Sequence, residues 1–228
     1  MIVPLVLFVA SAAFTLWRNA EVGVLVDFAY MVNIATRIAA GDVPYAQFPL
    51  AQAPLAFLTQ AALIKLAGPH YAVQIGYAVI VGGIATALTY TIATRILEGS
   101  VRSPTALAAI LCIPITPLGI YAIFPHPFYD PDACLFVLAA IGATLAARDR
   151  PSRRRWVVSG ALLAIPIFVK QNIGGAFLVA VLAALAADAI ARPQARSNLR
   201  WCLAGLAGAL AVALAGLQLV VGIDHYLA

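Results

Sequence analysis

Residues 24–55 read VLVDFAYMVNIATRIAAGDVPYAQFPLAQAPL and form the most polar long segment of an otherwise apolar chain. In its first half, polar residues recur at three- and four-residue steps, as they do on one side of a helix: Asp27, Tyr30, Asn33 and Arg37. Apolar residues fill most of the other side: Leu25, Phe28, Met31, Val32 and Ile38. Gly41 and Pro44 then end the pattern. This arrangement predicts an amphipathic helix that lies in a membrane surface with its apolar face down.

The composition of the whole chain indicates an integral membrane protein. Of its 228 residues, 64% are hydrophobic and only 10% are charged, whereas soluble domains carry about 25% charged residues. Long runs of Ala, Leu, Val and Ile exclude the short alternating segments of a membrane barrel. The fold class is therefore all-α, with about seven transmembrane helices and amphipathic surface helices in the first external loop.

The apolar runs predict a single transmembrane domain over residues 1–228, with no soluble domain. We interpret the first run as a retained helix rather than a cleaved signal, because no basic residue precedes it. Two polar segments separate the runs on one side, a first external loop at 18–69 and a second, acidic loop at 124–132. The predicted spans are 2–17, 71–97, 105–123, 133–147, 156–169, 176–190 and 201–222.

Several residues predict breaks or close contacts within these spans. Pro114 and Pro117 should bend the third span, and breaks are expected at Pro166 and Lys170. Small residues let membrane helices approach closely, so the last span should pack through one glycine face: Gly205, Gly208 and Gly216. The cysteines lie in apolar runs without paired or ligand-like spacing and are expected to be buried free thiols: Cys112, Cys134 and Cys202.

The distribution of charge predicts the orientation. With seven spans, ten of the fourteen basic residues fall on one side: Arg95, Arg102, Arg148, Arg150, Arg153, Arg154, Arg155, Arg192, Arg196 and Arg200. Positive charge is enriched in cytoplasmic loops, so the N-terminus should be cytoplasmic. Both polar loops and Lys170 should then share the periplasmic or external face of a bacterial inner membrane. The net charge of +5 is explained in this way without a nucleic-acid partner.

Asp27 is the first candidate for chemistry. At a partly dehydrated membrane edge its carboxylate could act as a general base, or could orient a substrate hydroxyl or a metal ion. The alternative is a solvated residue on the wet face of the surface helix, or a partner for Arg37.

Asp130 and Asp132 are the second candidates. Asp130 before Pro131 also matches a helix N-cap, and Asp132 suits the positive end of the helix dipole. His126 lies four residues before Asp130 and could join a metal site, although a histidine between prolines is also common as a plain loop residue.

Lys170, Gln171 and Asn172 are the third candidates, since three polar residues in a row at a membrane-embedded break need partners. They could recognise an anionic headgroup, with Lys170 as counter-charge to phosphate and the following helix start supplying N–H groups. The alternative is a short external turn whose lysine extends to the water.

The order of residues in the polar segment resembles that of a known family. Asp27…Tyr30…Gly41-x-x-Pro44-Tyr45-x-x-Phe48…Pro54-Leu55, directly after a first span, is similar to the first external loop of C-type glycosyltransferases. These include protein O-mannosyltransferases and the bacterial transferases that move aminoarabinose from undecaprenyl phosphate onto lipid A. This chain has Gln47 where the family often has Asp, and Ala53 replaces the first proline of a usual pair. Because typical members have eleven or more spans, the resemblance implies either their N-terminal part or a minimal member.

The resemblance implies transfer of a sugar from a polyprenyl-phosphate carrier to a lipid, glycan or protein acceptor on the external face. Asp27 would be the catalytic carboxylate, Asp130 or Asp132 a second acid, and Lys170 the partner of the lipid phosphate. A divalent metal ion remains an open alternative, and no cofactor is assigned. The predicted substrate-binding residues are Tyr30, Arg37, Tyr45, Lys170, Gln171 and Asn172.

A transporter or a non-catalytic lipid-binding subunit is the alternative function. Transporters use broken helices around a site at the membrane midplane. The chain shows no internal repeat, however, and its ionisable residues lie at the ends of the spans.

Overall fold

The computed structural model describes residues 2–21 and 26–227, and helices account for most of them. Leu25 of the predicted apolar face lies outside these ranges. No β-strand occurs in the described ranges, which confirms the all-α class. The helices are α1 (Ile2–Glu21), α2 (Val26–Ala40), α3 (Leu55–Ala67), α4 (Tyr71–Leu97), α5 (Pro104–Cys112), α6 (Ile115–Leu118), α7 (Ile120–Ile123), α8 (Tyr129–Asp149), α9 (Arg153–Val169), α10 (Gln171–Ala191), α11 (Ala195–Val220) and α12 (Ile223–Leu227).

Six segments of the described chain are long and apolar enough to cross a membrane: α1, α4, the run from α5 to α7, α8, α10 and α11. The seventh predicted span is α9, which has 17 residues and is therefore about 25 Å long. The chain is thus a polytopic helical membrane protein. α3 is a shorter apolar helix of 13 residues.

The interruption in the third span was predicted correctly. α5 ends at Cys112, short α6 contains Pro117, and α7 begins only after Gly119. The expected break at Pro166 was wrong, because α9 continues through it to Val169. A proline removes a single N–H donor, and the N–H of Lys170 donates to the Pro166 carbonyl at 2.9 Å, so the last turn still closes. The break lies at Lys170.

The described chain forms two compact units. The first unit comprises Met1–Ala40 and Ala56–Leu138. In it, α1 packs along α4 where Gly82 leaves room for the side chains of Thr15 and Tyr121. The Thr86 hydroxyl donates to Ser11 Oγ at 2.9 Å across the same contact, which satisfies polar groups that lipid could not.

The second unit comprises Gly41–Leu55 and Ala139–Ala228, and α9 packs on α11 in its centre. A Cβ atom on Gly160 would lie 1.8 Å from the Cys202 carbonyl oxygen, and one on Gly205 would lie 2.0 Å from that of Val157. The two backbones therefore touch through glycine. Gly208 and Gly216 have no atom within 4 Å of such a Cβ, so only Gly205 of the predicted glycine face takes part.

All three cysteines are free thiols, as predicted. Cys112 and Cys202 are buried, whereas Cys134 is half-buried.

Replacing Gly205 with Val should separate α9 from α11 and lower the free energy of unfolding by about 1–3 kcal/mol or more, since backbone atoms cannot move aside as a side chain can. Gly208→Val is the matched control, because it adds the same atoms four-fifths of a turn later where nothing is in contact. Thermal unfolding in detergent measures both. Equal losses of Tm in the two variants would contradict the close α9–α11 contact.

Candidate active site

The first unit places Asp27 on the exposed side of α2, as the sequence predicted. Asp27 and Asn33 are exposed, Tyr30 and Arg37 are half-buried, and the apolar side of the helix is covered. The buried residues of that side are Phe28, Met31, Ile34, Ala35 and Ile38. The hydrophobic effect thus fixes the rotation of α2 about its own axis, which turns the Asp27 carboxylate outward.

Aromatic contacts connect α2 to the loop at 124–128. The ring of Phe28 meets the ring of His126 edge-on with centroids 5.9 Å apart, and it meets Tyr71 at 5.3 Å. Tyr30 packs edge-on against Phe57 of α3 at 5.8 Å, and Phe57 lies 6.4 Å from Tyr129. These contacts bring α2, the first half of the predicted polar segment, and the predicted acidic loop together within one unit.

The loop itself is held by a side chain that the sequence did not single out. Asn19 near the end of α1 donates from Nδ2 to the Pro125 carbonyl at 2.9 Å, and its Oδ1 accepts from the Tyr71 hydroxyl at 3.0 Å. One amide therefore joins the end of α1, the loop and the start of α4. Asparagine between apolar spans is a weak signal, because only the folded structure shows which backbone group it reaches.

His126 is 4% exposed, and its ring lies among Phe28, Phe124 and Phe128. Burial lowers the pKa of His126 from its ordinary value of 6.5, and the negative charge of Asp27 partly opposes this effect. The imidazole is thus neutral at pH 7, within electrostatic reach of the Asp27 carboxylate. Residues 2–21 and 26–227 contain no cluster of three or more His, Cys, Asp or Glu side chains placed to hold a metal ion.

Asp130 and Asp132 belong to the first turn of α8, which begins at Tyr129. Asp130 is half-buried, whereas Asp132 is 1% exposed. The Tyr121 hydroxyl donates to Oδ1 of Asp132, and Tyr77 of α4 also faces this carboxylate. The Asp132 oxygen Oδ2 is buried without a hydrogen-bond partner among the described residues. Tyr121 therefore holds one oxygen of this carboxylate and Tyr77 lies beside it, and sequence patterns had indicated neither tyrosine.

Tyr30 is the other titratable member of this group outside the spans. Burial raises the pKa of Tyr30, and Tyr129 nearby adds to the rise. The phenol therefore keeps its proton at neutral pH and can donate a hydrogen bond to a substrate oxygen.

The second unit holds the loop at 41–54 in a tight, hydrogen-bonded form. The Tyr45 N–H donates to the Phe48 carbonyl, and the Gln47 N–H donates to the Val43 carbonyl, both at 2.9 Å. The Gln47 side chain accepts from the Val43 N–H in return. Tyr45 has a φ of 66°, which is unusual for a residue other than glycine, and its hydroxyl donates to the Gln52 carbonyl at 2.5 Å.

Lys170 joins α9 to α10 with an extended backbone, φ −150° and ψ 108°. Gln171 Oε1 accepts from the Ala53 N–H at 3.2 Å, which links this break to the loop at 41–54. A proline at position 53 has no N–H to donate, so the departure of this chain from the usual proline pair has a structural consequence. Asn172 Oδ1 accepts from the Ile173 N–H at 2.8 Å, which satisfies a donor in the first turn of α10.

The fold and the arrangement of charged residues define a polytopic membrane protein whose charged side chains lie near helix ends and in connections. The sequence model of the dolichyl-phosphate-mannose-protein mannosyltransferase family matches residues 51–217. This match spans well over half of the chain, so the chain belongs to that family of C-type membrane glycosyltransferases. Neither the curated proteins nor the solved structures gave a match.

The matched region includes only part of the candidate site. Asp27, Tyr30, Arg37 and Tyr45 precede it. The candidates within it are His126, Asp130, Asp132, Lys170, Gln171 and Asn172.

Tyr121→Phe should lower the free energy of unfolding by about 1–3 kcal/mol, because it leaves a buried carboxylate oxygen without its donor. Asp132→Asn should lower the free energy of unfolding less in the Tyr121→Phe background than in the wild type, because the two side chains interact directly. Tyr90→Phe is the control, since Tyr90 is buried in the same unit and lies roughly 20 Å along α4 from Tyr77, the residue of that helix that faces Asp132. Thermal unfolding of the single and double variants measures the coupling, and additive losses would contradict the Tyr121–Asp132 bond.

The lowered pKa of His126 predicts that stability decreases in acid. Because the unfolded chain binds the proton more readily than the folded chain, the free energy of unfolding should fall as the pH drops below about 6.5. Thermal unfolding measured from about pH 7.5 to about pH 5 should show that the Tm of His126→Gln falls less steeply with decreasing pH than the Tm of the wild type. His70→Gln is the comparison variant, because it removes a histidine that is exposed rather than buried. An unchanged pH dependence of Tm in His126→Gln would contradict the prediction.

Proposed function

We propose that this protein transfers a sugar from a polyprenyl-phosphate carrier to an acceptor hydroxyl at the external face of the membrane. Membership of the mannosyltransferase family supports a glycosyltransferase that uses a lipid-linked sugar. The single observation that carries the site is that Asp27, Tyr30, Tyr129 and the aspartates of the α8 first turn belong to one packed unit.

In this proposal Asp27 accepts the proton of the acceptor hydroxyl as its oxygen attacks the anomeric carbon of the sugar. The bond from that carbon to the phosphate oxygen breaks, and the carrier phosphate leaves with its electron pair. Because a phosphate is already a good leaving group, positioning and charge stabilisation dominate the catalysis. The exposed position of Asp27 supports the role of base, since a substrate can reach it.

Asp132 has a different proposed role from Asp27. Its carboxylate is buried and bonded to Tyr121, so it positions the first turn of α8 rather than exchanging protons with a substrate. Half-buried Asp130, two residues earlier, is then the second acid beside the sugar.

Lys170 is proposed to hold the donor phosphate. It precedes α10, whose first N–H groups carry partial positive charge. Gln171 and Asn172 support this position through their bonds to the Ala53 and Ile173 N–H groups.

The orientation is proposed from charge. Lys170 and Arg192 bound the two ends of α10, and the arginine-rich end should face the cytoplasm. The N-terminus would then be cytoplasmic, and the working face would be periplasmic or external.

Asp27→Asn should reduce sugar transfer about 10²- to 10⁴-fold, the usual contribution of a general base, while bound carrier lipid is retained. Transfer of labelled mannose from polyprenyl-phosphate mannose into the lipid, glycan and protein fractions of membranes measures activity. Glu21→Gln is the matched control and should transfer at the wild-type rate. Loss of bound lipid together with transfer in Asp27→Asn would contradict the role of base.

Native mass spectrometry of the same preparations tests the phosphate site. Wild type and the control Lys65→Ala should retain polyprenyl phosphate, and Lys170→Ala should lose it. If neither transfer nor bound carrier lipid is found in the wild type, the transferase proposal fails and the transporter or scaffold alternative takes its place.

A further inference from the structure

The second unit contains a groove of about 630 Å³ between α8, α9 and α10, close to their arginine-rich ends. This is within the range of roughly 300–1,000 Å³ that small-molecule sites occupy. Most of its lining is apolar and comes from one face of each helix: Ile141, Leu145, Trp156, Phe177, Val181 and Leu185.

Two charged residues lie at the rim of the groove, Arg148 at the end of α8 and Asp188 on α10. Asp188 is already bound, because its Oδ1 accepts from Nε of Arg192 at 2.7 Å and also from Nη2. Arg148 is exposed and makes no hydrogen bond or ion pair with another described residue. Once the Asp188–Arg192 pair is cancelled, the rim carries one net positive charge.

Other arginines at this end bind protein groups instead. Arg155 donates to the Arg150 carbonyl at 3.0 Å, Arg153 lies 3.9 Å above the Trp201 ring, and Arg196 donates to the Ala189 carbonyl at 3.3 Å. These contacts hold the loops that join the helices. Arg148 differs from these three arginines in two ways. It lies at the edge of an apolar groove, and its guanidinium binds no protein acceptor among the described residues.

We propose that this groove binds one anionic membrane phospholipid. An acyl chain would lie along the apolar lining, and the phosphate would pair with Arg148. Both halves of the ligand are recognised by chemistry already present, since α8 and α10 are candidate membrane spans and a guanidinium binds phosphate through paired N–H groups. Anionic lipids gather around basic residues at the membrane surface for the same reason.

This site is separate from the proposed donor site and goes beyond the proposed function. Lys170 precedes the first residue of α10, and Asp188 lies in its last turn. At 1.5 Å per residue the two positions are roughly 27 Å apart along one helix. That distance is close to the thickness of the hydrocarbon core, so a phosphate at Arg148 lies at the opposite membrane surface from one at Lys170.

The test reconstitutes the full chain with equal amounts of phosphatidylglycerol and phosphatidylcholine of the same acyl chains, and native mass spectrometry counts the lipid retained. Wild type should retain one phosphatidylglycerol in preference to phosphatidylcholine. Arg148→Gln should reduce that preference about fivefold, as expected for one arginine near a membrane surface. Arg154→Gln removes an equal charge from the same end but does not line the groove, so it should behave as wild type.

A second pair of variants tests the groove itself. Ala184 lines it and is exposed, whereas neighbouring exposed Ala183 does not line it. Ala184→Trp should remove the retained lipid, while Ala183→Trp should keep it. Lys170→Ala should also keep it, which separates this proposal from the donor site.

Three results would overturn the proposal. Equal loss in Arg148→Gln and Arg154→Gln would indicate diffuse charge rather than a built site. Retention in Ala184→Trp would place the lipid elsewhere, and displacement by excess inorganic phosphate would show that the headgroup chemistry alone is bound.

Discussion

Hydrocarbon offers no hydrogen bonds, and this constraint shapes every part of the chain. Each backbone N–H and C=O inside the bilayer must be satisfied within its own segment, which leaves helices as the solution for a chain of this composition. Six segments of the described chain are long and apolar enough for that purpose. Charged residues consequently lie near helix ends and in connections. Where the backbone leaves the helix, as in the loop at 41–54, it forms hydrogen bonds of its own.

The same constraint explains which contacts hold the candidate site in place. A buried carboxylate such as Asp132 needs a hydrogen-bond donor, and Tyr121 supplies one to Oδ1, while Tyr77 of α4 faces the same carboxylate. Asn19 likewise satisfies the carbonyl of Pro125 in the loop before α8. Each hydrogen bond that offsets the free-energy cost of burying a polar group also holds in place an element that carries Asp27, Asp130 or Tyr30, or one packed against it. Stability and positioning are therefore produced by the same contacts.

In the second unit, the middle of the helices and their two ends differ in chemistry. Its middle is held by close packing, in which Gly160 and Gly205 allow α9 and α11 to touch through their backbones. Its two ends are polar and chemically different. One end has a single lysine at a helix start, and the other has many arginines, of which Arg155 and Arg196 bind backbone carbonyls and Arg153 lies over an aromatic ring. In the two proposals above, these ends would bind two phosphate groups at opposite membrane surfaces, the phosphate of the sugar donor at Lys170 and the phosphate of a retained lipid at Arg148.

The sequence alone determined the class of protein, the approximate positions of the spans, the polar face of α2 and the break at Lys170, because hydropathy and helical period are local properties of consecutive residues. It also supplied the family resemblance that the match over residues 51–217 confirmed. Tertiary structure decided the rest: that α9 passes through Pro166, that Gly205 packs while Gly208 does not, and that Tyr121 and Asn19 hold the acidic turn. These features depend on which atoms of distant segments meet. A periodic pattern does not show which distant segments are in contact, since any of several apolar faces could pack against any other.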